Sequence, residues 1–447
     1  MKLASLEHYS VEPGRFVQWR PRATADAVPT GVAVSENERF HLDSVRAGRH
    51  GWLTLVVDFS RAIERDRLDR LVPILLARHD ALRSHFVVGA GDYERHECGP
   101  DITTTAVAEA DGVSTSATAF TDEVMGRVAM VCNPLRPLDH FFSAVARSDS
   151  TTVICAFDHA YVDARSLTVL AGDISDILAD RPLRTADSGL DAVRGHTVIQ
   201  NVSADDPRLT GWQRYLEQTD WQIPDFPLDL GVAPGTRVPM RTRVETLLSR
   251  EASRQLGTGV RRHGGRTLPT LLTCIGAAVH RNGGPSEMAT IIPAGPSSDE
   301  RFVAWVVENI PLRVACAGDV RELLKINADR LATARPLAEI GLTPVYQTFG
   351  DRLRRKRDDV FMVSYVDYTR WYEPVDGVEV RQLSGDHATD NAQWWLWRDA
   401  RGIHVRVRYP ATARADAVMD AVLADTASIL EQTVDRVAMS RARGASA

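Results

Sequence analysis

The residues best suited to chemistry stand together at 153–164. A run of five apolar residues, Val153 to Phe157, ends at Asp158 and His159, and Asp163 follows four positions after the histidine. Histidine is the side chain best suited to accept and return a proton near neutral pH. The pattern therefore predicts a histidine general base, His159, accompanied by two carboxylates.

Two elements must position these side chains. An unbroken apolar run of this length predicts a strand buried on both faces. The residues after Asp163 predict a core-facing helix, because apolar side chains recur there at helical spacing; these are Leu167, Leu170, Ala171, Ile174, Ile177 and Leu178. Asp163 stands where the N-cap of that helix belongs. We therefore expect His159 in a short strand-to-helix connection, a common position for catalytic side chains.

Two other interpretations of the same residues stay open. In the structural one, His159 is hydrogen-bonded at a strand end and Asp163 only caps the helix. In the other, His159 and Asp163 are metal ligands four positions apart, but the sequence supplies no third ligand. No metal is expected.

Composition limits the class of protein. The chain has 447 residues, 44% of them hydrophobic, which predicts two domains rather than one. With 53 basic and 59 acidic residues its formal net charge is −6, which argues against nucleic acid as a partner. No apolar run has the length of a membrane span, and the polar start does not resemble a signal peptide, so a cytoplasmic location is expected.

The five cysteines form no C-x-x-C pair, so neither a disulfide framework nor a zinc site is indicated; they are Cys98, Cys132, Cys155, Cys274 and Cys316.

Strand and helix patterns alternate in both halves of the chain, which predicts an α+β fold. The predicted boundaries are 1–185 for an N-terminal lobe, 186–210 for a linker and 211–447 for a C-terminal lobe. Strands are predicted at 14–21, 51–59, 138–147, 151–158, 238–248, 288–293, 302–315, 360–366, 378–383, 392–398 and 403–409. Helices are predicted at 64–82, 120–130, 249–262, 269–280 and 413–438.

Three motifs, in the same order, resemble the superfamily of condensation domains and acyl-CoA-dependent acyltransferases, which includes chloramphenicol acetyltransferase. Residues 158–164 are similar to its hallmark His-His-x-x-x-Asp-Gly. Residues 78–86, together with Phe40-His41-Leu42, resemble the stretch around its Arg-His-Glu-x-Leu-Arg-Thr-x-Phe. Residues 302–314 resemble its Val-Gly-x-Phe-Val-Asn-Thr-x-Pro-Leu-Arg. Residues 12–21 and 226–231 look most like the polyketide-associated acyltransferases of actinobacteria.

The resemblance implies two chloramphenicol-acetyltransferase-like lobes, each a mixed sheet flanked by helices, with a tunnel between them. It implies an acyl donor that is a thioester of CoA or of a phosphopantetheinyl acyl carrier protein. The acceptor is a hydroxyl or amine of a specialised metabolite, and no cofactor is tightly bound.

The resemblance also implies roles for single residues. His159 is the general base, and Asp163 pairs with Arg83 to hold the loop. Asp158 replaces the first histidine, which in the superfamily is largely a positioning residue. Trp305 and Asn309 line the tunnel near the thioester.

One departure keeps a second function open. Ala164 replaces the glycine of the hallmark, and its methyl group is expected to narrow the tunnel or to shift His159. A chain with eroded motifs can instead be a non-catalytic module that binds or recruits other proteins.

Two polar clusters have two interpretations each. Asp386-His387 with Asp390-Asn391 either line the acceptor channel or form an exposed loop. The basic segment Arg352–Arg357 is either a solvated helix face or a docking site for an acidic carrier protein or the phosphates of CoA.

Overall fold

The computed structural model describes residues 1–4, 9–110, 116–197, 202–262, 266–296, 299–385 and 387–444. The elements up to residue 197 are β1 (Lys2–Leu3), β2 (Arg15–Ala23), β3 (Val28–Pro29), α1 (Glu36–Arg46), β4 (Trp52–Phe59), α2 (Arg65–Arg78), a 3₁₀ helix (Asp80–Arg83), β5 (Ser84–Val88), β6 (Tyr93–Glu97), β7 (Ile102–Ala110), α3 (Ala117–Ala129), β8 (Phe141–Ala146), β9 (Thr151–Asp158), α4 (Ala164–Ile177) and α5 (Gly189–Thr197).

The elements of the rest of the chain are α6 (Pro207–Gln218), β10 (Met240–Ser249), α7 (Arg250–Arg262), α8 (Thr267–Arg281), β11 (Glu287–Ala294), β12 (Glu308–Ala315), α9 (Val320–Ala334), a 3₁₀ helix (Arg335–Ile340), α10 (Thr343–Phe349), a 3₁₀ helix (Gly350–Arg352), β13 (Val363–Asp367), α11 (Tyr368–Trp371), β14 (Val378–Ser384), β15 (Gln393–Asp399), β16 (Gly402–Pro410) and α12 (Ala413–Gly444).

These elements form two compact units. The first comprises Met1–Ile199, Gly295–Val307 and Arg370–Asp386, and the second comprises the remaining three segments, Gln200–Ala294, Glu308–Thr369 and His387–Ala447. The sequence-based boundaries assigned Gly295–Val307 and Arg370–Asp386 to the C-terminal lobe.

The first unit is built on a seven-stranded sheet in the order β1-β14-β4-β9-β8-β2-β7, with β9 at its centre. β9 pairs antiparallel with β4 and β8, and every one of its residues is buried, as its apolar sequence predicts. One face of the sheet packs on α3, and α4 contacts β4 and β14. A separate three-stranded sheet has the order β3-β6-β5.

The second unit has a four-stranded sheet in the order β10-β16-β15-β13. A parallel bridge joins Ile291, in the antiparallel pair β11-β12, to Met362, the residue before β13. The apolar sides of α8 and α12 pack with β15 and β16 in one large core. Each unit is therefore a mixed sheet flanked by helices, and the predicted α+β fold class is confirmed.

Two local predictions were wrong. The predicted strand 302–315 forms a strand only as β12, from Glu308 onward. The linker 186–210 stays a prediction, and it contains α5 and the start of α6. The basic segment Arg352–Arg357 is not a helix face, because only its first residue lies in the short 3₁₀ helix Gly350–Arg352. Pro73 inside the predicted helix 64–82 was expected either to kink the helix or to mark a late start. The helix begins at Arg65 and contains the proline, so it does not start late.

Candidate active site

His159 lies in a tight connection between β9 and α4, as predicted. Asp158 ends β9 opposite Trp52 of β4, and the backbone N–H of His159 donates to the carbonyl of Gly51 at 2.9 Å. The N–H of Tyr161 donates back to the carbonyl of Asp158 at 3.1 Å, which closes the turn. Backbone hydrogen bonds on both sides therefore fix the position of the histidine.

Asp163 is the N-cap of α4. Its Oδ1 accepts from the backbone N–H of Ser166 at 2.7 Å and from the Ser166 hydroxyl at 2.9 Å. Burial raises the pKa of the Asp163 carboxyl, although the bonds from Ser166 act in the opposite direction. Ala164 is the first residue of α4, and its φ is not in the left-handed region that favours glycine. The alanine therefore fits the local backbone.

The predicted pair between Asp163 and Arg83 does not form. The guanidinium of Arg83 donates instead to the carbonyls of Leu76 and Ala77, both at 2.8 Å, and to Glu97 at 2.6 Å. Because those two carbonyls belong to the last turn of α2, a cation is favourable there. Arg83 closes the end of α2 and ties it to β6, and its hydrogen bonds and ion pair among the described residues do not include Asp163.

A second histidine, His41, approaches the end of β9 from helix α1. Its Nε2 lies 2.7 Å from Oδ1 of Asp158, a carboxylate with no solvent exposure. Oδ1 also accepts from the backbone N–H of Ala160 at 2.9 Å, while Oδ2 is buried and has no hydrogen-bond partner among the described residues. Burial by itself would lower the pKa of His41, but the charge and hydrogen bond of Asp158, with the charge of Glu38, raise it overall.

Trp305 brings the two histidines together. Its ring centroid lies 4.5 Å from that of His159 and 5.8 Å from that of His41, and the two imidazole centroids are 6.3 Å apart. All three side chains keep part of their surface exposed, whereas Asp158 below them is fully buried. The rings therefore form one partly open cluster within the first unit.

The segment that carries Trp305 is held by its alternate residues. Phe302, Ala304 and Val306 pack against α5 and against Ala81 of the 3₁₀ helix Asp80–Arg83. The hydroxyl of Ser166 lies 2.8 Å from the carbonyl oxygen of Ala304 and accepts from its N–H at 3.2 Å. The N-terminal turn of α4 thereby fixes both Asp163 and the residue next to Trp305.

Burial keeps the imidazole of His159 unprotonated. Burial lowers the pKa of His159 to about 4, and the positive charge of His41 lowers it further. His159 is therefore neutral at neutral pH. Because its Nδ1 is buried, Nε2 is the ring nitrogen available to a substrate.

The other predicted site residues lie apart from this cluster. Asn309 is on β12 in the second unit, partly exposed, and its predicted place in a tunnel stays a prediction. Cys155 is buried in β9, and burial raises the pKa of its thiol.

In the predicted polar cluster Asp390 and Asn391 are not exposed, because both are fully buried, whereas His387 is partly exposed. Asp390 accepts from the backbone N–H groups of Gly235, Asp358 and Asp359 at 2.8–3.1 Å, which indicates a structural role. Asp386 lies outside the described residues.

Several cations of the basic segment have partners of their own. The guanidinium of Arg352 lies 3.4 Å from the centroid of the Trp221 ring, and Arg354 pairs with Asp220 at 3.0 Å. The predicted docking role of this segment stays a prediction.

Neither a metal site nor a membrane span is found where the structure describes the chain. No group of three or more His, Cys, Asp or Glu side chains is placed to hold a metal ion there. Within the same residues, no helix has both the length and the apolar character that a membrane crossing requires.

Solved structures show which fold this chain has. The PapA2 acyl transferase matches 97% of this chain and 100% of its own with a TM-score of 0.83 at 18% identity. The first condensation domain of the calcium-dependent antibiotic synthetase, in complex with substrate analogue 2a, matches 90% of this chain and 97% of its own, with a TM-score of 0.69 at 16% identity. The predicted fold, that of condensation domains and their acyltransferase relatives, is confirmed.

Curated relatives make the assignment more specific. PapA1 of Mycobacterium bovis (strain BCG / Pasteur 1173P2), a 2'-acyl-2-O-sulfo-trehalose (hydroxy)phthioceranyltransferase, is 23% identical over 82% of this chain and 75% of its own length. Acyltransferase PapA3 of Mycobacterium tuberculosis (strain CDC 1551 / Oshkosh) is 23% identical over 71% of each chain. No protein-family model matches. The chain is an acyltransferase with the fold of condensation domains, and its sequence is similar to those of the mycobacterial PapA proteins.

Proposed function

We propose that this acyltransferase moves an acyl group from a thioester to a hydroxyl or amine of a specialised metabolite, with His159 as the general base. The observation that carries the proposal is a partly exposed histidine, neutral at neutral pH, held rigidly at the end of a buried strand. A neutral imidazole can take the acceptor's proton as that acceptor attacks the thioester carbonyl. No covalent acyl-enzyme is required.

The neighbours of His159 have distinct roles in this proposal. Asp163 fixes the turn by capping α4, and Trp305 packs on the imidazole. Asp158 holds His41 in place. Positioning of this kind matters because catalytic groups must be held within about 0.5 Å of their productive geometry.

The donor is either an acyl-CoA or a phosphopantetheinyl acyl carrier protein, and no tightly bound cofactor takes part. The name of PapA1 describes transfer of a (hydroxy)phthioceranyl group to a 2'-acyl-2-O-sulfo-trehalose. We therefore favour a hydroxyl acceptor, with amines as the second class. The cytoplasmic location inferred from the sequence belongs to the same proposal.

The experiment that tests the proposal measures thiol release from a panel of acyl-CoA and acyl-carrier thioesters, with and without candidate alcohols and amines. Wild type is compared with His159→Ala, and with Cys155→Ala as a control for a residue without a proposed role. We expect acceptor-dependent release that falls ~10²-fold or more in His159→Ala, since general base catalysis is typically worth 10²–10⁴ in rate.

Release that is equal in wild type and His159→Ala would contradict the role of His159. Release that is absent from wild type with every donor would favour the second function, a non-catalytic binding or recruitment module.

A further inference from the structure

His41 was not predicted as a site residue, yet it is the ionisable side chain in contact with the buried carboxylate of Asp158. Burying a carboxylate without a compensating charge is costly. The 2.7 Å contact to Nε2 of His41 supplies that charge when the ring is protonated. The geometry of the pair therefore favours an imidazolium at position 41.

The imidazolium also has an unused donor. Its Nε2 is taken by Asp158, which leaves the Nδ1–H, and 13% of the side chain is exposed. Gly51 makes room for the ring, because a Cβ at that position would lie 3.0 Å from Cε1 of His41. The ring also contacts Trp305, whose other ring contact among the described residues is with His159.

We propose that His41 is a second catalytic residue, whose Nδ1–H stabilises the oxyanion formed when the thioester carbonyl is attacked. This inference rests on the proposed function. The two imidazole centroids are 6.3 Å apart, which places both rings within reach of one carbonyl group, with His159 as the base and His41 as the oxyanion donor.

The chemical step balances. The acceptor oxygen forms a bond to the carbonyl carbon while its proton passes to Nε2 of His159, and the C=O electron pair moves to the carbonyl oxygen beside His41. On collapse the C–S bond breaks, and the thiolate takes the proton from His159. His41 stays protonated throughout, and an ester and a free thiol result.

The charged groups around His41 predict how it titrates. Asp158 from the end of β9 and Glu38 from its own helix raise its pKa, and the ring centroid of the partly exposed His159 lies 6.3 Å from that of His41. Glu38 is itself paired with Arg95 at 2.6 Å. Activity should therefore fall on the alkaline side, as His41 loses its proton.

The experiment compares pH profiles of kcat/KM for wild type, His41→Gln, Asp158→Asn and the exposed control His50→Gln, with an alcohol acceptor that does not titrate. We expect kcat to fall ~10²-fold in His41→Gln, the usual effect of removing one oxyanion donor, with KM changed little. The alkaline limb should disappear in His41→Gln and move to lower pH in Asp158→Asn, while His50→Gln behaves as wild type.

Asp158→Asn keeps the oxygen that accepts from Ala160, and circular dichroism checks the fold of each variant. If His41→Gln does not fold, the inference is judged from Asp158→Asn alone, whose alkaline limb should move to lower pH. His159-dependent transfer with an unchanged alkaline limb in the variants overturns this inference and leaves the proposed function standing. A wild type that transfers no acyl group overturns both.

Discussion

At the scale of single residues, Asp163 and Arg83 stabilise different parts of the first unit. Asp163 caps α4 through Ser166, and Arg83 closes α2 and pairs with Glu97. We expect Asp163→Ala to cost about 1 kcal/mol of stability, the usual effect of losing an N-cap. It should also lower kcat, because the turn that holds His159 loosens. Arg83→Ala should lower stability and leave kcat per folded molecule almost unchanged.

The measurement is a double-mutant cycle by urea denaturation, with Asp163→Asn as the matched variant that keeps a capping oxygen. Because the two side chains do not touch, their effects should add to within about 0.5 kcal/mol. A coupling well above that value would restore the pair that the resemblance implied.

The sequence alone predicted the positions of those site residues that depend only on neighbouring parts of the chain. Asp158, His159 and Asp163 follow from a buried strand and a capped helix, and the structure places them accordingly. His41 was missed as a site residue because its partner, Asp158, is 117 positions away. Its helix α1 has a polar sequence with a capping box but only a short apolar stripe, and no helix was predicted there.

At the scale of elements, the first turn of α4 links the two sides of the site. Ser166 is hydrogen-bonded to both Asp163 and the backbone of Ala304, the residue before Trp305. We expect Ser166→Ala to lower kcat several-fold, because a displaced Trp305 no longer orients His159. It should also cost ~1–3 kcal/mol of stability, the penalty for leaving a buried backbone group unsatisfied.

Ser175→Ala is the matched control for Ser166→Ala. Ser175 is a buried serine of the same helix, and among the described residues its hydroxyl donates only to the carbonyl of Ala171 within α4. Thermal unfolding and steady-state kinetics are measured on both variants. A loss of kcat that is equal in the two would mean that Ser166 acts through helix stability alone.

Long apolar elements were predictable, and short or polar ones were not. β4, β9 and α8 carry runs or stripes of buried apolar residues, so their sequences identify them. β6, with the sequence Tyr-Glu-Arg-His-Glu, has no such pattern and forms because β5 and β3 pair with it. The segment 302–307 has the apolar residues of a strand. Its side chains pack on α5 instead, and its backbone is hydrogen-bonded to Ser166. Pairing and side-chain bonds of this kind depend on distant parts of the chain.

At the scale of the whole molecule, burial lowers the pKa of five described histidines of the first unit: His79, His85, His140, His159 and His196. A group with a lowered folded-state pKa stabilises the fold fully above its unfolded pKa, about 6.5, and loses that stabilisation as the pH falls. His41 has the opposite sign, because its pKa is raised.

The lowered pKa values of these buried histidines predict that mild acid destabilises the first unit. For His159 alone, a pKa of about 4 instead of 6.5 corresponds to roughly 3 kcal/mol, lost between those two pH values. Hydrogen exchange measured by mass spectrometry, at about pH 7.5 and about pH 5.5 and corrected for intrinsic rates, should show loss of protection in β8, β9 and α4. His140→Gln should weaken the effect, because glutamine can still donate to the carbonyl of Leu82 but does not titrate. Protection that is retained in β9 at the lower pH, or lost equally in β15 and β16 of the second unit, would contradict the prediction, because acid would then act on the fold through groups other than these histidines.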